Sequence, residues 1–86
     1  MVDRNRLIHI FGNPRHNLGP LVKQFGSEEA AFQAMQDAVD AALTAGKIAI
    51  DGLGVYSQVF DVEGNVVTMA GVIIGNEARI GTAWMS

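Results

Sequence analysis

The chain has 86 residues, no cysteine and a formal net charge of −3. This length favours a single domain over residues 1–86, and the lack of cysteine excludes disulfides and cysteine-based metal sites. Hydrophobic residues make up 49% of the chain, which argues against intrinsic disorder. No apolar run approaches the roughly 20 residues that span a bilayer, so we expect no membrane anchor.

The charges are unevenly distributed along the sequence. Residues 1–26 contain four cations and one acid, whereas residues 27–51 contain five acids and one lysine, and residues 52–86 contain three acids and one arginine. Both histidines, His9 and His16, also lie in the N-terminal part. Because a local positive field can coexist with an acidic total, this end of the chain is expected to favour an anionic ligand.

The first predicted element is a strand over residues 6–11, RLIHIF. Strict alternation would place His9 on the same face as Leu7 and Phe11. The next residues, 12–15 (GNPR), combine glycine, asparagine and proline and predict a turn.

Two helices are predicted next. The first covers residues 18–25, with Pro20 in its first turn and Gly26 just beyond its end. The second covers residues 28–45, and Ser27 is its expected N-terminal cap. Apolar residues at helical spacing form a stripe that should pack on a sheet; they are Phe32, Met35, Val39, Ala42 and Leu43.

The C-terminal half predicts an antiparallel meander with strands over 55–62, 66–74 and 79–86. Gly71 and Gly81 interrupt two of these strands and indicate bulges or the close approach of a ligand. The expected fold class is α+β, with one or two N-terminal helices packed on one face of a three- to four-stranded antiparallel sheet.

The segment around His16 is the first candidate for function. Arg15 and His16 lie in the predicted turn, immediately before the helix 18–25, whose N-terminus could receive an anion. Asn17 could contact a phosphate at the same place. The alternative is that these are ordinary exposed loop residues.

Two imidazoles near a cation suit phosphodiester cleavage in RNA. One histidine would accept the proton of a ribose 2′-hydroxyl and the other would protonate the leaving oxygen, while Arg15 binds the phosphate. RNA supplies its own nucleophile, so this chemistry requires no metal and no other cofactor. The alternative for His9 is a half-buried residue that makes one backbone hydrogen bond. A zinc site is a weaker alternative, because the two histidines have no clear carboxylate partner.

Further candidates lie outside the N-terminal segment. Thr82 in the last predicted strand could stabilise charge on the phosphate, and Lys23, Tyr56 and Trp84 are candidates for substrate binding. The alternatives are β-propensity for the hydroxyl residues and a core position for the tryptophan. In a regular strand, Arg79 would face away from Thr82 and Trp84.

Two pieces of the sequence resemble known ribonucleases. They are HIF followed by RHNLGPLVKQFGSEEAAF, and the terminal RIGTAW. Together they resemble the C-terminal ribonuclease modules of bacterial polymorphic and contact-dependent inhibition toxins, in the barnase/EndoU/colicin/RelE-like fold group. The resemblance spans most of residues 7–84. It implies an active site with one or two histidines, a basic residue and a hydroxyl, which here are His9, His16, Arg15 and Thr82.

The resemblance also implies a fold and partners. In this group N-terminal helices pack on a four-stranded sheet, and the last strand often carries a Thr-Ala-aromatic element, matched here by Thr82-Ala83-Trp84. The resemblance implies two protein partners, a cognate immunity protein and a larger delivery protein upstream. It also implies action on RNA in the target-cell cytoplasm, with transfer RNA as one candidate. Two features depart from the group: a strand is predicted before the helices, and the histidines are placed differently from those of EndoU-type members.

A second function class remains open at this point. The chain could be a non-catalytic α+β module that binds a protein through a strand edge and the apolar stripe of its long helix. The shortage of carboxylates near the histidines and the acidic total favour this alternative.

Overall fold

The computed structural model describes residues 4–12, 16–75 and 77–85. The elements are α1 (Arg4–Phe11), α2 (Gly19–Phe25), α3 (Glu28–Thr44), β1 (Val55–Val62), β2 (Asn65–Ile74) and β3 (Glu77–Met85). The strands form an antiparallel sheet in the order β1-β2-β3. Helices α1 and α3 pack on this sheet, and α2 packs on α3. The predicted α+β fold is therefore confirmed. None of the described helices has the length and apolarity needed to cross a membrane.

The segment predicted as a strand over 6–11 lies in helix α1, so that prediction is wrong. Leu7 and Ile10 are buried, whereas Ile8 between them is 64% exposed. This is the three-residue spacing of a helix face rather than the alternation of a strand. Six residues this rich in isoleucine fit both periods, and packing of Leu7 and Ile10 into the core selects the helix.

Helix α3 begins as the sequence predicts. The hydroxyl of Ser27 accepts a hydrogen bond from the amide of Ala30 at 3.1 Å, which satisfies one of the free amides of the first turn. The predicted stripe faces the core, with Phe32, Met35 and Val39 buried and Ala42 and Leu43 at the margin. Burying this stripe against the sheet contributes hydrophobic stabilisation.

A bulge divides strand β3. Ala70 lies opposite Thr82 and Gly71 lies opposite Ile80, so Gly81 is an extra residue without a partner on β2. Gly71 allows the close approach that accompanies this bulge, because a Cβ atom at that position would overlap the carbonyl oxygen of Arg79. The expected bulge is therefore confirmed, and the close approach at Gly71 is that of a backbone carbonyl.

The sheet has one covered and one open face. The covered face carries the buried side chains of the strands and contacts the helices. Alternation and register place the other strand side chains on what we call the open face: Val55, Ser57, Val59 and Asp61 of β1, Val66, Thr68, Ala70, Val72 and Ile74 of β2, and Glu77, Arg79, Thr82 and Trp84 of β3.

Candidate functional site

His16 lies just beyond the C-terminal end of α1 and is held there by the backbone. Its ring Nδ1 is 2.7 Å from the carbonyl oxygen of Ile10. A carbonyl oxygen can only accept, so Nδ1 carries the hydrogen and Nε2 is the ring nitrogen left for other partners. The bond also satisfies one of the last carbonyls of the helix, which have no intrahelical partner. His16 therefore has a structural role whatever else it does.

His9 lies on the solvent side of α1. The strand prediction placed it with Leu7 and Phe11, but in the helix those two side chains pack against the core and His9 is exposed. Since His9 directly precedes Ile10, whose carbonyl holds His16, both histidines lie near the C-terminal end of the same helix. The structure thus brings the two imidazole-bearing residues to one region of the molecule.

Arg15 and most of the predicted turn lie outside the described residues, which leave out 13–15. The N-terminus of the next helix, α2, is also less suited to bind an anion than the sequence predicts. Helix α2 is only seven residues long, and Pro20 in its first turn has no N–H to offer a ligand. Lys23 is exposed in the last turn of this helix.

Asn17 links the N-terminal segment to the other end of the chain. Its backbone has a positive φ of 54°, a conformation that asparagine tolerates better than most residues. Its side-chain amide donates to the carbonyl oxygen of Met85, 68 residues later, at 3.4 Å. Helix α1 also packs on β3. The histidine-bearing segment therefore lies beside the C-terminal end of the last strand.

Thr82 and Trp84 lie on the open face of that strand and are both partly exposed. Ala83 between them is buried on the covered face, where the helices pack. The histidines thus lie on the helical side of the sheet and Thr82 on the other side. Because β3 is an edge strand, the two groups can meet only around that edge.

Tyr56 is part of the core rather than of a substrate-binding surface. Its side chain is 1% exposed, and its hydroxyl donates to the carbonyl oxygen of Arg79 at 3.1 Å. Its ring packs edge-on against Phe60 with centroids 6.2 Å apart. A side chain this deeply buried cannot contact RNA, so its proposed place in the site is corrected.

The orientation of Arg79 depends on whether the last strand is regular at Gly81. A regular strand would turn it away from Thr82 and Trp84, but the extra residue at Gly81 reverses the alternation beyond the bulge. Arg79 therefore shares the open face with Thr82 and Trp84, while Ile80 is buried opposite Gly71. The paired glycines were the available signal, since bulges often re-aim side chains near functional sites.

The open face is unusually apolar for an uncovered surface. Val59 and Val66 are 57% and 61% exposed, and Val55 and Ile74 are also exposed. In the segment VVTMAGVII, apolar residues occupy both odd and even positions. This pattern could have indicated a strand with apolar side chains on both faces.

The clefts described on α3, beside α1 and on β3 are lined by residues other than the histidines. A cleft of about 520 Å³ between α3 and the β1–β2 turn has three acidic residues, Asp37, Asp61 and Glu63, among mostly apolar lining residues. Within the described ranges, no three histidine, aspartate or glutamate side chains are grouped closely enough to bind a metal ion.

Comparison of the chain with protein-family models, with curated proteins and with solved structures found no match in any of the three.

Proposed function

We propose that this protein is a metal-independent endoribonuclease that cleaves RNA through attack of a ribose 2′-hydroxyl on the adjacent phosphate. The observation that carries the proposal is the meeting of the two chain ends, where the Asn17 amide contacts the Met85 carbonyl at 3.4 Å. It places Asn17, which directly follows His16, beside the end of the strand that carries Thr82, so an RNA strand that reaches both groups would pass around the edge of β3.

The hydrogen bond of His16 suggests which histidine acts as general base and which as general acid. With Nδ1 donating to the Ile10 carbonyl, neutral His16 has a free lone pair on Nε2 and suits the role of general base. His16 would accept the 2′-hydroxyl proton as the 2′-oxygen bonds to phosphorus. The bond from phosphorus to the 5′-oxygen then breaks, and protonated His9 supplies the proton to that oxygen. The products are a 2′,3′-cyclic phosphate and a free 5′-hydroxyl.

Charge on the phosphate must be stabilised in the transition state. Thr82 would donate a hydrogen bond, and Arg15 would supply a positive charge and paired hydrogen bonds. Trp84, one step along the same face as Thr82, would stack on a base next to the cleaved bond.

The order of the elements adds support through the resemblance to toxin ribonuclease modules. Those modules have helices before an antiparallel sheet, and the strand predicted at 6–11 departed from that order. The helices of the present chain all precede its three described strands, so this departure is removed. By the same resemblance we propose that the chain acts as part of a larger delivered protein and that a cognate immunity protein neutralises it.

The test is cleavage of transfer RNA and of unstructured RNA in the presence of EDTA. His9→Ala, His16→Ala and Thr82→Val should each lower the rate by at least about 100-fold, a typical effect of losing an acid, base or charge-stabilising group. Lys47→Ala, which removes an exposed cation in the loop after α3, is the matched control and should cleave normally. Mass spectrometry should detect the cyclic phosphate. Full activity in both histidine variants would refute the proposal.

A second candidate function is binding of a protein without chemistry, and the exposed apolar residues of the open face favour it. The helix stripe expected for this role is buried in the core and cannot take part. Acidic residues lie at both ends of the open face, Asp61 and Glu63 at one and Glu77 at the other, so a partner with an apolar patch flanked by basic residues would fit. Growth arrest on cytoplasmic expression that disappears in His9→Ala would count against this candidate.

A further inference from the structure

The open face of β3 carries a cation, a hydroxyl and an aromatic ring in one row. Their partners on β2 are Val72 for Arg79, Ala70 for Thr82 and Thr68 for Trp84. These partners are each two residues apart, so the three side chains project from the sheet at steps of about 6.7 Å. Without the bulge at Gly81, Arg79 would project toward the covered face.

The bulge also leaves a depression next to Arg79. A cleft of about 230 Å³ is lined by Arg79, both bulge glycines and the aliphatic residues Val72, Ile74 and Ile80. The two glycines contribute no side-chain atoms to this cleft. The result is a shallow concave surface with one guanidinium at its margin.

The Arg79 side chain is exposed, and the hydrogen bond that Arg79 makes to Tyr56 uses only its backbone carbonyl. Glu77 lies on the same face one step away, opposite Ile74, and Asp61 lies on this face in β1, so the open face carries two acids and one cation. Arg79 is nevertheless the only cation on the open face of the described strands. A guanidinium on an apolar surface suits a phosphodiester whose bases rest on the surface beside it.

We infer that Arg79 binds a phosphate of single-stranded nucleic acid that lies along the open face of β3. This inference rests on the proposed ribonuclease activity, because it extends the same site. Arg79 is one step, about 6.7 Å, from Thr82, which would contact the cleaved phosphate, and it lies two steps from Trp84, near the end where Asn17 holds the histidine-bearing segment. It therefore contacts a flanking phosphate rather than the cleaved one.

A duplex does not fit this surface in the same way. The faces of paired bases are covered by their stacked neighbours, whereas Trp84 and the aliphatic residues beside it offer stacking and apolar contacts to unpaired bases. With one cation on the face, little of the affinity can come from neutralised phosphates. Binding should therefore prefer unpaired strands and depend weakly on salt.

The experiment measures binding and cleavage separately. A single-stranded oligodeoxynucleotide lacks the 2′-hydroxyl and is not cleaved, so its affinity is measured from 50 to 300 mM salt by fluorescence anisotropy. Arg79→Gln should weaken binding about tenfold and make the slope of log affinity against log salt shallower by about 0.7, the value for one phosphate contact. Arg79→Lys should keep the slope, and Lys47→Gln should change neither quantity. On RNA, Arg79→Gln should raise KM and leave kcat unchanged.

The outcomes separate this inference from the proposed function. Normal affinity and slope in Arg79→Gln, with RNA cleavage by the parent protein, overturn the inference and leave the ribonuclease proposal standing. An Arg79-dependent slope without RNA cleavage supports the phosphate site and overturns the proposed activity. Absence of both binding and cleavage in the parent protein overturns both. Thermal unfolding of Arg79→Gln should match that of the parent, because the substitution leaves the backbone carbonyl that Tyr56 contacts in place.

Discussion

Nδ1 of His16 lies 2.7 Å from the carbonyl oxygen of Ile10, at the end of the helix that also carries His9. The contact joins a residue proposed to act in catalysis to the backbone of a helix. It fixes which ring nitrogen is free, and it makes the two histidines unequal in their importance for folding. This difference allows structural and chemical effects to be separated by experiment.

His16→Ala should lower the free energy of unfolding by about 1 kcal/mol, since it removes a hydrogen bond to a carbonyl at the helix end. His9→Ala is the matched comparison and should change stability by less than about 0.5 kcal/mol, because His9 is exposed. Urea unfolding followed by circular dichroism measures both. Equal stability of the two variants would mean that the His16 bond contributes nothing to the fold.

Gly71→Ala should destabilise the protein by about 1–3 kcal/mol or more. A Cβ at this position would overlap the carbonyl oxygen of Arg79 and lie 2.9 Å from the Tyr56 hydroxyl, so the backbone of the bulge would have to move. Gly81→Ala is the control, because its Cβ would come no closer than 3.4 Å to another heavy atom and should be tolerated. Thermal unfolding of the two variants provides the comparison, and a Gly71→Ala protein as stable as the parent would contradict this geometry.

Tyr56→Phe should reduce stability by about 1 kcal/mol, since it removes the hydrogen bond from the hydroxyl to the Arg79 carbonyl in the core. The same variant should leave kcat/KM for RNA cleavage unchanged, because the hydroxyl is buried. Steady-state kinetics on a fluorogenic oligonucleotide measure this. A large loss of kcat/KM with normal stability would contradict this and indicate that Tyr56 takes part in substrate binding.

Two glutamines of α3 offer a matched pair. Gln33 and Gln36 each donate to an aspartate four residues later at 2.9 Å, but only Gln36 also donates to the carbonyl of Ala78 in β3, at 2.9 Å. Gln36→Ala should therefore cost about 1 kcal/mol more than Gln33→Ala, because it breaks a partly buried bond between the helix and the sheet. Chemical denaturation of both variants tests the difference, and equal losses would show that the contact to β3 adds no stability.

Much of the architecture was predictable from local patterns. The cap at Ser27 and the stripe of Phe32, Met35 and Val39 specified α3, because a helix needs only neighbouring residues to satisfy its backbone. Turn residues and β-branched runs specified three strands in a meander. Short connections between them indicated that consecutive strands pair as antiparallel neighbours.

The first element was not predictable in this way. RLIHIF fits both a strand and a helix, and only the burial of Leu7 and Ile10 in the assembled core distinguishes the two. The orientation of Arg79 was not settled by the pattern either, because one extra residue at Gly81 reverses the alternation between Arg79 and Thr82.

The sequence by itself therefore determined the fold class, the long helix and the presence of two histidines and several cations near one end. Only the tertiary structure decided that Tyr56 is buried in the core, that Asn17 reaches Met85, and that Arg79, Thr82 and Trp84 share one face. The reason is physical. Helices, caps and turns depend on residues a few positions apart, whereas a site built from both chain ends depends on packing and strand register across the whole domain.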